Sequence, residues 1–188
     1  MIEDAPPSIL PDLLRPGLRL VFCGTAAGTV SARRGHYYAH PQNKFWLTLH
    51  AVGLTPRRLD PCEFRLLPDW GVGLTDIAKG VSGMDSELPR GSLGRLACEA
   101  LRERILLNRP AILAFTSLTA GRSFLGKDAG FGEQKETIGA TRLWLLPSPS
   151  PAAHWNWREH ERWWRALGEA TADLGAAQSA EAKREFSA

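Results

Sequence analysis

The groups in this chain best suited to chemistry fall in three stretches: FCGTAAGTVSARRGHYYAHPQN over 22–43, GLTDIA over 73–78 and LPSPSPAAHW over 146–155. The first opens on a glycine-bounded turn, Gly24 to Gly28, whose backbone amides could hold an anion. It lacks the GK[ST] ending of a P-loop and the third glycine of a dinucleotide fingerprint, so NTP and NAD binding are both disfavoured. A plain tight turn is the local alternative. Further along, Tyr37 and Tyr38 offer ring faces on which a base could stack, worth about 1–3 kcal/mol per base, or rings for the core. Asn43 carries a carboxamide that can both donate to and accept from a base edge, or can cap the helix that follows. Asp76 can hold a water or cap a turn. In the third stretch Pro147, Pro149 and Pro151 stiffen the backbone around Ser148 and Ser150, which suits either approach to a phosphate or a rigid connector. Arg33 and Arg34, inside the long first stretch, are the better phosphate candidates. The arginines interleaved with tryptophans over 155–165 fit a helix that buries its rings and exposes its charges.

The elements that must position these groups follow from the apolar pattern. LRLVFC, GVGLTDIA, AILAFTS and TRLWLLP read as buried strands. Between them lie helical patterns: NKFWLTLHAVG closed by Gly53, a helix capped by Ser92 with Leu93, Leu96, Leu101 and Ile105 on one face, and a short helix opened by Ser117. A final helix covers WNWREHERWWRALGEA. Strands with little alternation, separated by helices, imply a parallel sheet covered on both faces, with binding loops beyond the strands' carboxyl ends. All three stretches begin there. The chain of 188 residues is expected to form one domain with its core over 17–175, leaving loose tails over 1–14 and 176–188.

Composition sets limits. Hydrophobic residues are 44% and charged residues 23%, which excludes wholesale disorder, and a formal charge of +3 is compatible with nucleic acid without arguing for it. No apolar run approaches the roughly 20 residues needed to span a bilayer. Cys23, Cys62 and Cys98 are odd in number and lack CxxC spacing, and the acidic start has no apolar targeting core. These features lead us to expect a reduced, cytoplasmic protein.

In combination, FCGTAAGTVSARRGHYYAHPQNKFW, GVGLTDIAKGVSGMDSEL and LWLLPSPSPAAHW resemble the uracil-DNA glycosylase superfamily in order and spacing, from Leu18 to Trp155. VFCG, the AHPxNxFW run and GLTDIA followed by DSEL resemble the mismatch-specific uracil/thymine-DNA glycosylases, while YYAHPQN and LPSPSPA are equally similar to the hypoxanthine-DNA glycosylase family. The resemblance implies a three-layer α/β/α sandwich around a four-stranded, mainly parallel sheet. It further implies a monomeric, metal-independent glycosylase without cofactor, acting on DNA that contains uracil or another damaged base. Gly24, Thr25, Ala26, Tyr38 and Asn43 are the expected base-binding positions, with Asn43 as the leading catalytic group; Asp76 is the second candidate, as a water-positioner, at a position where mismatch-type enzymes carry a different residue. Ser148, Ser150 and His154 match residues that contact DNA or fill the space left by an extruded base, alongside Arg33 and Arg34. Mismatch-type relatives carry a water-holding asparagine in the first loop; here that residue is Ala26. A lesion-binding protein that has lost catalysis is therefore the alternative, and an RNA- or nucleotide-binding α/β protein stands third.

Overall fold

A computed structural model of the chain describes residues 8–185, with the side chains of residues 154, 155 and 175–185 outside that description. Five strands form one sheet: β1 (Leu20–Gly24), β2 (Val72–Asp76), β3 (Ile112–Phe115), β4 (Gly132–Ile138) and β5 (Thr141–Leu145), in the order β2-β1-β3-β5-β4. β1, β2, β3 and β5 run parallel. β1, β2 and β3 are buried at every position, which is why they read as unbroken apolar runs. The expected four-stranded sheet is corrected to five by β4, which pairs antiparallel with β5 at the sheet edge. Its sequence GEQKETI is buried only at its two ends. An edge strand with charged side chains outward resists pairing with other chains, and for the same reason it carries no apolar signal.

Alternate residues of the parallel strands feed two cores, as the pleat requires. Phe22, Leu74, Ala114 and Trp144 face one core with α2 (Phe45–Ala51) and α5 (Trp157–Glu185), while Val21, Cys23, Phe115 and Leu145 face the other with α3 (Arg95–Asn108) and α4 (Leu118–Leu125). The sheet is thus the middle of three layers. The chain leaves β1 toward the first face and leaves β3 toward the second, so the carboxyl ends of these neighbouring strands form a topological switch point, the place where open α/β sheets bind ligands.

Local signals explain several boundaries. Ser117 caps α4, its hydroxyl accepting from the Ala120 amide at 3.0 Å. Ser92 does not cap α3: its hydroxyl donates to Pro89 O, and the helix starts three residues later behind Gly94. The stretch after Gly28 contains the short helix α1 (Thr29–Arg34), ended by Gly35 at φ 71°, where a long loop was expected.

The amino-terminal segment is also corrected. Residues 8–14 are tied down: Leu10 is 1% exposed, Leu13 forms an antiparallel bridge with Leu74, and the Ile9 amide donates to Lys79 O at 2.8 Å. Gly73 admits this segment, because a Cβ there would meet Leu13 O. The other expected tail is helical through Glu185, and residues 1–7 and 186–188 lie outside the described residues.

Trp164 of α5 links the first core to the third loop. It is fully buried, stacks on Phe22 at a centroid distance of 5.6 Å, and donates its indole N–H to Pro147 O at 3.1 Å. Trp164→Ala is expected to lower stability by about 3–5 kcal/mol, and Trp164→Phe, which keeps a ring but orphans the Pro147 carbonyl, by about 1–3 kcal/mol. Equilibrium urea unfolding measures both, and a loss under about 1 kcal/mol for the alanine variant would contradict tight packing at this position.

Candidate active site

Asp76 ends β2 in register with Gly24, the last residue of β1. Its side chain reaches sideways across the neighbouring strand: a Cβ built on Gly24 would lie 2.6 Å from Asp76 Oδ1. A side chain at residue 24 would therefore displace the Asp76 carboxylate from this position. Asp76 is 4% exposed, and burial drives its carboxyl up to about 6. Lys79 opposes that rise, Asp12 adds to it, and a hydrogen bond from Tyr37 and the charge of Arg104 oppose it more weakly.

The cations beside this carboxylate are not bonded to it directly. Lys79 Nζ lies 2.7 Å from Asp12 Oδ1 and 4.0 Å from Asp76 Oδ2, and it donates to Tyr37 Oη at 3.1 Å. Arg104, from α3, donates through Nη2 to the Asp76 main-chain carbonyl at 2.8 Å and sets Nε 3.4 Å from Asp12 Oδ2.

The glycine turn is pinned on its acceptor side. The carbonyls of Gly24, Thr25 and Ala27 accept from the amides of Ile77, Ala78 and Gly83. Thr25 Oγ1 donates to Asp85 Oδ1 at 2.6 Å, so the acidic DSEL segment closes over the turn. Among the described residues no backbone carbonyl accepts from the Thr25 or Ala26 amide.

On the other side of the switch point, Tyr38 holds φ at 51°, a left-handed conformation that costs a non-glycine residue about 1 kcal/mol or more. Two contacts hold it there. Its ring lies on Phe45 at 3.8 Å and 14°, and its hydroxyl meets Thr116 Oγ1, just past β3, at 3.1 Å. Asn43 precedes α2, and its Oδ1 accepts the Phe45 amide at 2.9 Å. The oxygen of this carboxamide thus closes a local turn ahead of Lys44, the N-cap residue of α2, while its Nδ2 has no hydrogen-bond partner among the described residues. The third loop joins here through Lys44, whose amide donates to Pro149 O at 3.0 Å.

The family model for the Uracil DNA glycosylase superfamily matches residues 11–168. The chain belongs to this superfamily. Its fold is similar to the solution NMR structure of a "putative Uracil DNA glycosylase" from Methanosarcina acetivorans, with 22% identity over 87% of this chain and 96% of that one, and a TM-score of 0.58.

Several of the expected site positions of this uracil-DNA glycosylase superfamily chain lie at the carboxyl edge of the sheet. Gly24 abuts the Asp76 side chain, Thr25 is bonded to Asp85, and Tyr38 connects the first loop to the end of β3. Ser148 is turned inward, its hydroxyl accepting the Ser150 amide at 3.2 Å, so the third loop is shaped by its own side chain. Arg33 and Arg34 are both exposed in the last turn of α1, and Arg34 donates to Ala39 O at 3.1 Å. The His154 side chain lies outside the described residues. Asp12, Lys79 and Arg104 were not anticipated as site residues. Lys79 stands three residues after Asp76 and Arg104 lies between the buried Leu101 and Ile105, which are weak signals, and nothing local singles out Asp12.

The raised carboxyl has a consequence for folding. A carboxyl that binds its proton more tightly in the folded state stabilises the fold below its unfolded value of about 3.8, and this contribution is lost as pH rises through about 6. Asp76→Asn should therefore remove a decline in stability between about pH 4 and 6, and should be more stable than the parent at pH 7 by up to about 3 kcal/mol. Urea unfolding measured from pH 4 to 8 checks this, and parallel curves for the two proteins would contradict it.

Proposed function

We propose that this chain is a monofunctional DNA glycosylase that flips uracil out of DNA and hydrolyses its N-glycosidic bond, acting as a cytoplasmic monomer. Other deaminated or damaged bases, namely hypoxanthine, xanthine and ethenocytosine, belong to the same substrate class. The observation that carries this reading is the carboxylate of Asp76, buried against the Gly24 turn with its proton affinity raised into the range useful for a base near neutral pH.

Breaking the bond sends its electron pair to the departing base and leaves positive charge on the sugar. Donors must therefore await the base, and water must reach C1′ from the opposite side. In this reading the Asn43 Nδ2–H group and the Thr25 and Ala26 amides stabilise the base as it becomes an anion. Asp76 holds the water and takes its proton as the oxygen bonds to C1′. The face of Tyr38 turned away from Phe45 stacks on the extruded base. Arg33, Ser150 and His154 contact the DNA backbone or the vacated stack.

Strand cleavage by a lysine Schiff base is disfavoured. Lys79 is held by Asp12 and Tyr37, and Lys44 lies over the Trp157 ring at 4.9 Å. The Ala26 side chain favours one other reading, a damaged-DNA-binding protein without catalysis. Single-turnover assays on a uracil-containing oligonucleotide separate the two: alkali-labile sites support the glycosylase, whereas binding without base release supports the alternative.

Two variants test the assigned groups. Asn43→Asp keeps an oxygen for the Phe45 amide but removes the donor, so it should stay folded, with a thermal midpoint within a few degrees of the parent. Its single-turnover excision rate should fall by at least about 10²-fold, as on loss of one preorganised donor. Asn43→Ala should lose as much rate and somewhat more stability. For Asp76, excision should rise with pH through a midpoint near 6 in the parent, and Asp76→Asn should abolish that limb. Excision that is flat across pH 5 to 8 in the parent would remove Asp76 from the mechanism.

A further inference from the structure

Asp12 is 64 residues from Asp76 in the chain, yet it shares a cluster with it. The bridge between Leu13 and Leu74 and the burial of Leu10 carry the segment across β2. There Asp12 Oδ1 accepts from Thr75 Oγ1 at 2.8 Å and from Lys79 at 2.7 Å, and Oδ2 faces Arg104 at 3.4 Å. Lys79 is thus bonded to Asp12, while Arg104 stands within ion-pair distance of it and is bonded to the Asp76 main-chain carbonyl. At 4.0 Å from Asp76 the Lys79 ammonium makes no hydrogen bond with it, whereas at 2.7 Å from Asp12 it does.

We propose that Asp12 is a positioning residue for base excision: it holds Lys79 off the Asp76 carboxylate, which stays free to bind the attacking water and accept its proton. This rests on the reading of Asp76 as the water-holding group. The groups that face Asp76 are Lys79 from its own turn, Asp12 from the amino-terminal segment, Tyr37 and Tyr38 from the loop before α2, Arg104 from α3 and Cys23 from β1. Of these, Lys79 alone combines a positive charge, a flexible stem and a short path to the carboxylate oxygens. Without the Asp12 charge it would close on Asp76 and form a direct ion pair. The paired carboxylate would then be a weaker base, with its water-binding oxygens occupied.

Asp12→Asn, nearly isosteric and still able to accept from Thr75, tests this. Two readouts are needed: the carbon-13 titration of the Asp76 carboxyl, assigned by its disappearance in Asp76→Asn, and single-turnover excision of uracil as a function of pH. Asp12→Asn should move the Asp76 midpoint acidward by about one unit or more, and the excision limb with it. It should lower the plateau rate at least about 10-fold while leaving DNA affinity within about twofold. Lys79→Gln, which removes the cation that Asp12 restrains, should move the midpoint in the opposite direction. An unchanged Asp76 midpoint in Asp12→Asn, or shifts of the same sign in both variants, overturns the proposal. If Asp12→Asn does not fold, an unchanged midpoint in Lys79→Gln overturns it and an alkaline shift supports it. A parent protein that excises no base refutes the glycosylase reading separately, because the carboxyl titration still reports whether Asp12 governs Asp76.

Discussion

Burying a carboxylate at the end of a parallel strand is costly unless space, donors and compensating charge are supplied together, and the carboxyl edge of this sheet is organised around that demand at Asp76. Space comes from Gly24, the residue paired with it in register. Donors and charge come from Tyr37, Lys79 and Arg104, drawn from three separate segments. Two cations beside one buried anion would leave an excess positive charge, which Asp12 cancels. The amino-terminal segment is therefore fixed to β2 by electrostatics as well as by Leu10 and Leu13, and the cluster cannot be assembled from the three loop motifs alone.

The same edge shows how loops acquire the rigidity of the sheet. The turn after β1 is fastened by three carbonyls to the segment after β2, and the Thr25–Asp85 hydrogen bond closes it from above. The proline-rich loop after β5 is fastened at Pro147 by Trp164 and at Pro149 by Lys44. Every anchor but the Thr25–Asp85 pair uses a backbone carbonyl, an acceptor that buried loops must satisfy in any case. A site built from loops so tied holds its groups as a strand would, and precise holding is what transition-state stabilisation requires.

Much of this was legible in the residues. β1, β2, β3 and β5 were readable because burial on both faces writes itself as continuous apolar sequence, and α4 because Ser117 and Gly126 mark its ends. Asn43 stood out through the match of its HPxN run to the superfamily and Asp76 through its place at the end of a buried strand, although a cap or a turn accounts for either residue locally. β4 was illegible for the opposite reason, its outward positions being charged to protect an edge. The 3-10 helix over Pro61–Trp70 was hidden by Pro61 and Pro68, residues that usually signal a loop. Asp12 was hidden because its role depends on contacts made across a separation of more than sixty residues, which no local pattern records.

The absence of an amide in the first loop then has a structural rather than an evolutionary answer. Adjacent parallel strands lie about 4.8 Å apart, so a group ending β2 can serve the space that a side chain in the loop after β1 would otherwise serve, provided that residue 24 gives way. A water-holder one strand over, as proposed for Asp76, would differ in chemistry as well as in origin. A neutral amide can only orient a water, whereas a carboxylate can also remove its proton, yet an unneutralised carboxylate would oppose the build-up of negative charge on a departing base. In the proposed mechanism, proton transfer from the water would resolve the conflict, with Asp76 becoming neutral as the base becomes an anion. That exchange requires a carboxyl whose proton affinity is above the ordinary range but not so high that it is protonated at neutral pH, and burial raises Asp76 to that point while Lys79 and Arg104 limit the rise.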